Sequence, residues 1–260
     1  MSNPKISVVT VTFNSAATLE ETILSVINQT YDNIEYIIID GGSTDGTVDI
    51  IKKYSDRITY WISEPDKGIY DAMNKGIHVA TGDYINFMNS GDKFFNDSIL
   101  KKVSDYMVSG EYGVIYGNSI SFDGKNRILK VPHPLTCMKT NGCICHQSAF
   151  FKNIPTRLYY DLSFNICADY DLFARYYFDY SMPFKYLDLT ICFYSFSGIS
   201  DGNINVILES YDISKRYSTG ITHNIRYFFK ALSFRVKNSL KRILGDNAIS
   251  LIRSLKNRKC

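Results

Sequence analysis

Apolar and polar positions fall into repeating blocks from the start of the chain. Ile6 to Phe13, ISVVTVTF, is a β-branched run that reads as a buried strand. Asn14 and Ser15 turn the chain, and Thr18 can cap a helix with Leu19, Ile23, Val26 and Ile27 on one face and Glu20 and Glu21 at its positive end. The block then repeats. Glu35 to Asp40 is a second strand, GGSTDG a turn where Ser43 or Thr44 can cap, and a helix runs from about Thr47 to Tyr54. Thr59 to Ser63 is a short third strand, EPDKG a loop, and Ile69 to Ala80 a helix with Ala72, Met73, Ile77 and Ala80 in one stripe. Gly82 ends that helix. Tyr84, Ile85, Phe87 and Met88 form a fourth buried strand, which stops abruptly in Asn89, Ser90, Gly91 and Asp92. Four strands alternating with three helices through short loops predict a parallel sheet with right-handed crossovers.

Beyond this half-fold the pattern predicts a helix over Asn96 to Val108 and a strand from Val114 to Phe122 that turns at Asp123 and Gly124 into Arg127 to Val131. His146 to Lys152 reads as another strand, Asp169 to Tyr177 as a helix with Leu172, Phe173 and Tyr176 inward, and Lys185 to Phe196 as one or two strands. From Ile221 the character changes. Ile225, Phe228, Phe229, Leu232, Val236, Leu240 and Ile243 recur at three- and four-residue steps among Lys and Arg, and Ala248, Leu251, Ile252 and Leu255 make a second stripe after Gly245 and Asp246. These stripes predict two basic amphipathic helices.

Charge separates the same two parts. The segment from Lys215 onward holds 12 Lys and Arg against one acid, and the preceding residues 17 against 25, so a body at −8 carries a tail at +11. The expected division is residues 1–214 as an α/β domain and 215–260 as a helical tail whose partner is an anionic surface, membrane or nucleic acid. Basic amphipathic helices lie in a membrane interface, gaining roughly 1 kcal/mol per Lys or Arg near anionic lipid. The alternative is that the apolar stripe packs on the body. No apolar run approaches the ~18 residues of a membrane span, and Met1 to Lys5 leads directly into a strand, so a cytoplasmic protein is expected. Six scattered cysteines then read as reduced thiols, and Cys143, Cys145 and His146 lack the paired CxxC spacing of zinc sites.

The predicted topology brings three acids to one sheet edge. Asp40 ends the second strand, Asp92 follows the fourth, and Asp169 opens a late helix. Ligands of open α/β sheets lie at that edge. A carboxylate there can accept from the N–H of a base or from ribose hydroxyls, or share a hard divalent cation with phosphates. Taken singly, each acid also reads as a turn or helix cap. No G-x-G-x-x-G follows the first strand, and neither G-x-x-x-x-G-K-[ST] nor G-x-S-x-G occurs. A dinucleotide oxidoreductase, a P-loop enzyme and a serine hydrolase are thereby disfavoured, leaving a nucleotide diphosphate held by a metal.

TVTFNSAATLEETILSVINQTYDNIEYIIIDGGSTDGT, EPDKGIYDAMNKGIHVATGDYINFMNSGD, CHQSAFF and ADYDLFAR, in this order, resemble the successive motifs of the inverting family 2 glycosyltransferases with the GT-A fold. They are similar in particular to the bacterial branch that builds O-antigen and capsule repeat units. The resemblance spans about Lys5 to Ser200. It implies a Rossmann-like, mostly parallel sheet flanked by helices, with Thr12, Phe13, Asn14 and Asp40 around the base and ribose of a UDP-sugar. It further implies Asp66, Lys67, Asn74 and Lys75 near the donor, Asn89 and Gly91 in the turn beside it, and His146 and Gln147 bordering the donor sugar or acceptor. Asp92 would face Mg²⁺ or Mn²⁺, and Asp169 would be the catalytic base. The implied acceptor is a saccharide on a polyprenyl diphosphate, reached from the inner face of the cytoplasmic membrane, with no nucleic-acid partner. Three positions depart from the family pattern: Gly41 replaces a second Asp, NSGD carries a single acid, and Ala168 replaces a Glu. Thinned acidic motifs also suit a non-catalytic nucleotide-sugar-binding partner in a polysaccharide assembly complex, which donor turnover distinguishes.

Overall fold

The computed structural model describes residues 3–122, 126–140, 142–195, 203–218, 220, 224–234 and 236. Its first half follows the predicted alternation: β1 (Ile6–Thr12), α1 (Leu19–Ile27), β2 (Ile34–Asp40), α2 (Thr47–Lys53), β3 (Tyr60–Ser63), α3 (Ile69–Val79) and β4 (Tyr84–Phe87). A two-residue β5 (Lys93–Phe94), α4 (Ile99–Ser104), β6 (Val114–Phe122), β7 (Arg127–Lys130), β8 (Ala149–Lys152), α5 (Ala168–Ala174), β9 (Phe184–Ser195) and α6 (Asn205–Ser214) follow.

One sheet joins all nine strands in the order β3-β2-β1-β4-β8-β6-β9-β5, with β7 paired to the 119–122 stretch of β6 that β8 does not reach. Alternating side chains of the central strands feed two cores. Ile6 and Val8 of β1 with Tyr36 and Ile38 of β2 pack against Leu19, Ile23 and Ile51 of α1 and α2. Val9 and Val11 with Ile37 and Ile39 pack under Met73 of α3 and the aromatic residues of α5. Burial on both faces explains why these strands read as continuous apolar runs.

Most of the paired residues lie in parallel ladders, and the sheet is mixed where antiparallel strands join it. β3, β2, β1 and β4 run parallel, as do β6 and β9. β8 enters antiparallel between β4 and β6, and β5 and β7 pair antiparallel at their own edges. The stretch read as a strand from His146 divides into a 3₁₀ turn, His146–Ser148, and β8. The helix expected to run from Asp169 to Tyr177 gives way after Ala174 to a π-type turn over Arg175–Asp179. Position 168 is a fully buried Ala in the core.

Residues beyond 214 keep contact with the body. Arg216 pairs with buried Asp171 at 2.8 Å, and Tyr217 stacks on Phe178 with ring centroids 4.6 Å apart. Residues 224–234 are helical, and the Tyr227 hydroxyl donates to the Thr140 and Ser210 carbonyls. The apolar stripe expected there is exposed, with Phe228 64%, Phe229 59% and Val236 51% accessible. The second predicted helix, with Ala248, Leu251, Ile252 and Leu255, lies outside the described residues, as do Leu240 and Ile243 of the first. Among the described residues no helix is long and apolar enough to cross a membrane.

Candidate active site

Strand polarity gathers the site. The parallel strands β1 to β4 deliver their carboxyl ends to one edge of the sheet. β8 runs against β4, so the turn that enters it, His146–Ser148, reaches the same edge. β9 follows β6 in parallel and ends there at Ser195. This is the edge at which open α/β sheets receive ligands.

On the β1–β3 side, the structure separates lining residues from those that build the loops. Asp40 is fully buried, and its carboxylate accepts from the Gly42 and Ser43 amides and from the Ser43 and Ser63 hydroxyls. The turn-capping reading therefore describes Asp40, and no accessible oxygen remains for a base or ribose. Asn14, at φ 46°, accepts the Thr44 amide on its Oδ1 and gives its own N–H to the Ser43 hydroxyl, tying the loops after β1 and β2 together. The left-handed backbone there suits Asn. Asn74 holds the Tyr160 backbone through both its amide atoms, and Lys75 pairs with Glu64 and donates to the Pro65 carbonyl. These two residues brace the site rather than line it.

Two lining groups remain on this side. Phe13 is 60% exposed at the end of β1, an uncommon position for a large apolar ring. Beside it stands the Asp66 carboxylate, with one oxygen on the Gly68 amide and the other 2.5 Å from where a Cβ on Gly41 would stand. The lack of a side chain at position 41 thus makes room for an acid from a different loop. Thr12 ends β1 with its hydroxyl buried and without a hydrogen-bond partner. Lys67 is exposed on the same loop as Asp66, and its amide donates to the Asp71 carboxylate.

After β4 the chain reverses through Gly91 at φ 93°, a conformation that favours glycine, with the Gly91 amide on the Thr22 hydroxyl. The turn tucks in the Asp92 carboxylate, 6% exposed, where Gln147 Nε2 donates to one oxygen at 2.9 Å and the Ser195 amide to the other at 3.2 Å. Burial pushes this carboxyl up to about 6, against the pull of Gln147, His146 and the Ser195 amide. Gln147 is itself aimed by the Cys145 thiol, which donates to its Oε1. Asn89 lies 3.2 Å from His146 Nε2, and its own Oδ1 is buried with no partner. His146 Nδ1 stands 3.6 Å from the half-exposed Asp169 carboxylate. Burial alone would lower the His146 imidazole; Asp169, with Cys145 and Asp92 nearby, outweighs it and holds the imidazole above its ordinary value. His146 therefore joins the turn after β4 to the start of α5.

Among the described residues no cluster of three or more His, Cys, Asp or Glu can cage a metal. A single buried carboxylate with its proton affinity raised, in a turn with an orphaned amide oxygen, instead fits a hard cation that shares its coordination with a diphosphate. Sequence reasoning missed Ser195, Cys145, Thr22 and Ser63, which aim or brace the acids. Each acts through a backbone group or as a neighbour's partner, so nothing in its residue type marks it.

The glycosyl transferase family 2 model matches residues 7–198. An uncharacterised glycosyltransferase of Mycobacterium tuberculosis is 36% identical over 182 residues, covering 67% of this chain and 69% of its own. A PGL/p-HBAD biosynthesis glycosyltransferase of Mycobacterium bovis is 29% identical over 208 residues, covering 77% and 81%. Among solved structures, S. aureus TarS in complex with UDP superposes with a TM-score of 0.66 at 16% identity, covering 94% of this chain and 76% of that one. Against the longer TarS structure the chain spans 46% of its length. The mannosyltransferase PcManGT of Pyrobaculum calidifontis, in complex with GDP-Man and Mn²⁺, gives 0.66 at 13% identity, covering 98% and 80%. The chain shares its GT-A-like fold with TarS and PcManGT.

Proposed function

Since the chain belongs to glycosyl transferase family 2, we propose that it transfers a sugar, with inversion, from a UDP-sugar to a saccharide carried on a polyprenyl diphosphate in the assembly of a surface polysaccharide. The observation that carries this reading is the line of groups Asp92, Gln147, Asn89, His146 and Asp169, which runs from the turn after β4 to the first turn of α5. Inverting displacement needs the leaving diphosphate stabilised on one side of the anomeric carbon and a base at the acceptor hydroxyl on the other. This line of groups offers a residue for each end.

At the donor end, the exposed Phe13 ring and the Asp66 carboxylate suit a flat base with N–H groups and a ribose. Asp92, with Asn89 in the same turn, would hold Mg²⁺ or Mn²⁺ against the diphosphate. When bound, that cation supplies electrostatic stabilisation of the departing UDP. Gln147 and the Ser195 amide fix the direction of the Asp92 carboxylate. Asp169, half exposed and facing His146, takes the proton from the acceptor hydroxyl. His146, held above its ordinary value by that neighbour, stands between the two acids and links the turn after β4 to Asp169.

The acceptor's lipid and the exposed basic helix point to the same place. Phe228, Phe229 and Val236 are exposed, and a cleft of about 530 Å³ is lined by Phe229 with Ile207, Phe234, Ser233, Arg226 and Lys230. An apolar face bordered by cations suits the surface of an anionic membrane.

Release of UDP from a panel of UDP-sugars, with Mn²⁺, Mg²⁺ or EDTA and a saccharide diphosphate-lipid analogue, tests the reading. Metal-dependent turnover with one donor and a product of inverted anomeric configuration is expected. Asp169→Asn should then lower kcat by about 10² to 10⁴ and leave UDP affinity unchanged. Normal turnover in that variant removes Asp169 from the chemistry, and UDP binding without turnover for any donor favours the non-catalytic partner.

A further inference from the structure

The turn that carries Asp169 is held from behind by a residue of α6. Glu209 accepts three successive backbone amides on its carboxylate: Asn165 at 3.1 Å on Oε1, and Ile166 and Cys167 at 2.9 Å on Oε2. These donors lie 44, 43 and 42 residues away in sequence, so the contact is built by tertiary structure. The same turn is held on its other side by Tyr70 of α3, whose hydroxyl donates to the Ile166 carbonyl. Cys167 also contacts α6, its thiol 3.6 Å from the Val206 carbonyl and from the Ser210 hydroxyl.

Asp169 follows Cys167 by two residues and receives the Tyr170 amide on its Oδ1. Its direction toward His146 is thus set by the path of the backbone through 165–168. A charged acceptor that gathers three N–H groups fixes that path more strongly than neutral partners or water would. We propose that Glu209 is a positioning residue for the reaction: its carboxylate sets the aim of the Asp169 base without touching donor or acceptor. The proposal rests on the assignment of Asp169 as base.

Glu209→Gln replaces one acceptor oxygen by an NH₂ group that confronts an N–H donor, so the turn loses its three-point grip. Misplacement of a base by about 1 Å costs on the order of 10²-fold in rate, and a loss of that size in kcat is expected. UDP affinity should stay close to the parent's, because the Glu209 carboxylate holds residues 165–167 and not the donor-side loops. Amide exchange at 165–169 should accelerate, and in an Asp169→Asn background Glu209→Gln should cause no further loss. Glu209→Asp, which keeps the charge but shortens its reach, should fall between parent and Glu209→Gln, and it carries the same measurements if the amide variant does not fold.

Parental kcat with unchanged exchange at 165–169 overturns the proposal. So does an equal loss of rate with and without Asp169, which would mean that Glu209 acts on the molecule at large. If Asp169→Asn alone turns over normally, it is the base assignment that fails. Exchange at 165–169 then still decides whether Glu209 holds the turn, and parental exchange rates overturn that as well.

Discussion

Asp92 holds a charge under conditions that oppose it. Its folded pKa of about 6 lies above the ~3.9 of an unfolded Asp, so the ionised group costs stability above pH 6, and the cost disappears as pH falls toward 4. The gap of about two units corresponds to roughly 3 kcal/mol at neutral pH. Asp92→Asn is therefore expected to raise the thermal midpoint of the ligand-free protein at pH 7.5, with the gain fading near pH 4, while abolishing the metal dependence of donor binding. Calorimetric scans across pH check the first part and titration with UDP and Mn²⁺ the second. Gly41 and Asp66 form a second dependent pair. A Cβ at position 41 would stand 2.5 Å from Asp66 Oδ2, so Gly41→Ala should push the acid aside. Steady-state kinetics should show the donor KM rising about tenfold with kcat little changed, the signature of lost uniform binding. The resemblance named Asp92, His146, Gln147 and Asp169, which the structure brings together at one edge of the sheet. It could not show that Asp40 is spent inside its own turn and that Asp66 reaches over position 41, because sequence motifs record residue types and not which oxygens are already engaged.

At the scale of elements, legibility followed the range of the interactions. β1 to β4 and α1 to α3 were readable because their strands are buried on both faces and their helices show one apolar face each. β5 was missed at two residues, since its pairing with Phe193 and Cys192 is a distant event with no local pattern. The antiparallel entry of β8 was hidden for the same reason, and α5 passes into the π-type turn without a Pro or Gly to signal the change. The parallel half also depends on one acid. Glu35 accepts from Lys5, Ser7 and Thr81, pinning the starts of β1 and β2 and the turn before β4 to one carboxylate. Burial would raise this carboxyl, but these hydrogen bonds outweigh it and hold it at about 2. Since ~4.3 is usual for an unfolded Glu, Glu35 stabilises the fold by roughly 3 kcal/mol above pH 4.3, and the contribution is lost as pH falls toward 2. Urea titrations should find Glu35→Gln less stable by about that amount at pH 7, the difference shrinking steadily below pH 4.

Across the whole molecule, catalytic body and basic helix are linked but separable in their surfaces. Tyr227 ties the helix to Thr140 and Ser210, whereas Phe228 and Phe229 face outward. Phe228→Glu with Phe229→Glu should thus release the protein from anionic vesicles in a flotation assay and leave turnover on a water-soluble acceptor analogue near the parental level. Retained flotation would assign the apolar face to some other contact. The charge contrast between body and tail was plain in the sequence, but Arg216, Tyr217 and Tyr227, which bind this part of the chain to the body, carry no mark distinguishing them from their neighbours. Strand order bears finally on the history of the molecule as it is made. The four parallel strands β1 to β4 are complete by residue 87, but Gln147 and Ser195, which aim the Asp92 carboxylate, arrive 55 and 103 residues after it. A chain emerging from the ribosome holds these four strands long before the Asp92 carboxylate can be aimed. For the proposed donor site, competence is thus among the last properties this polypeptide acquires.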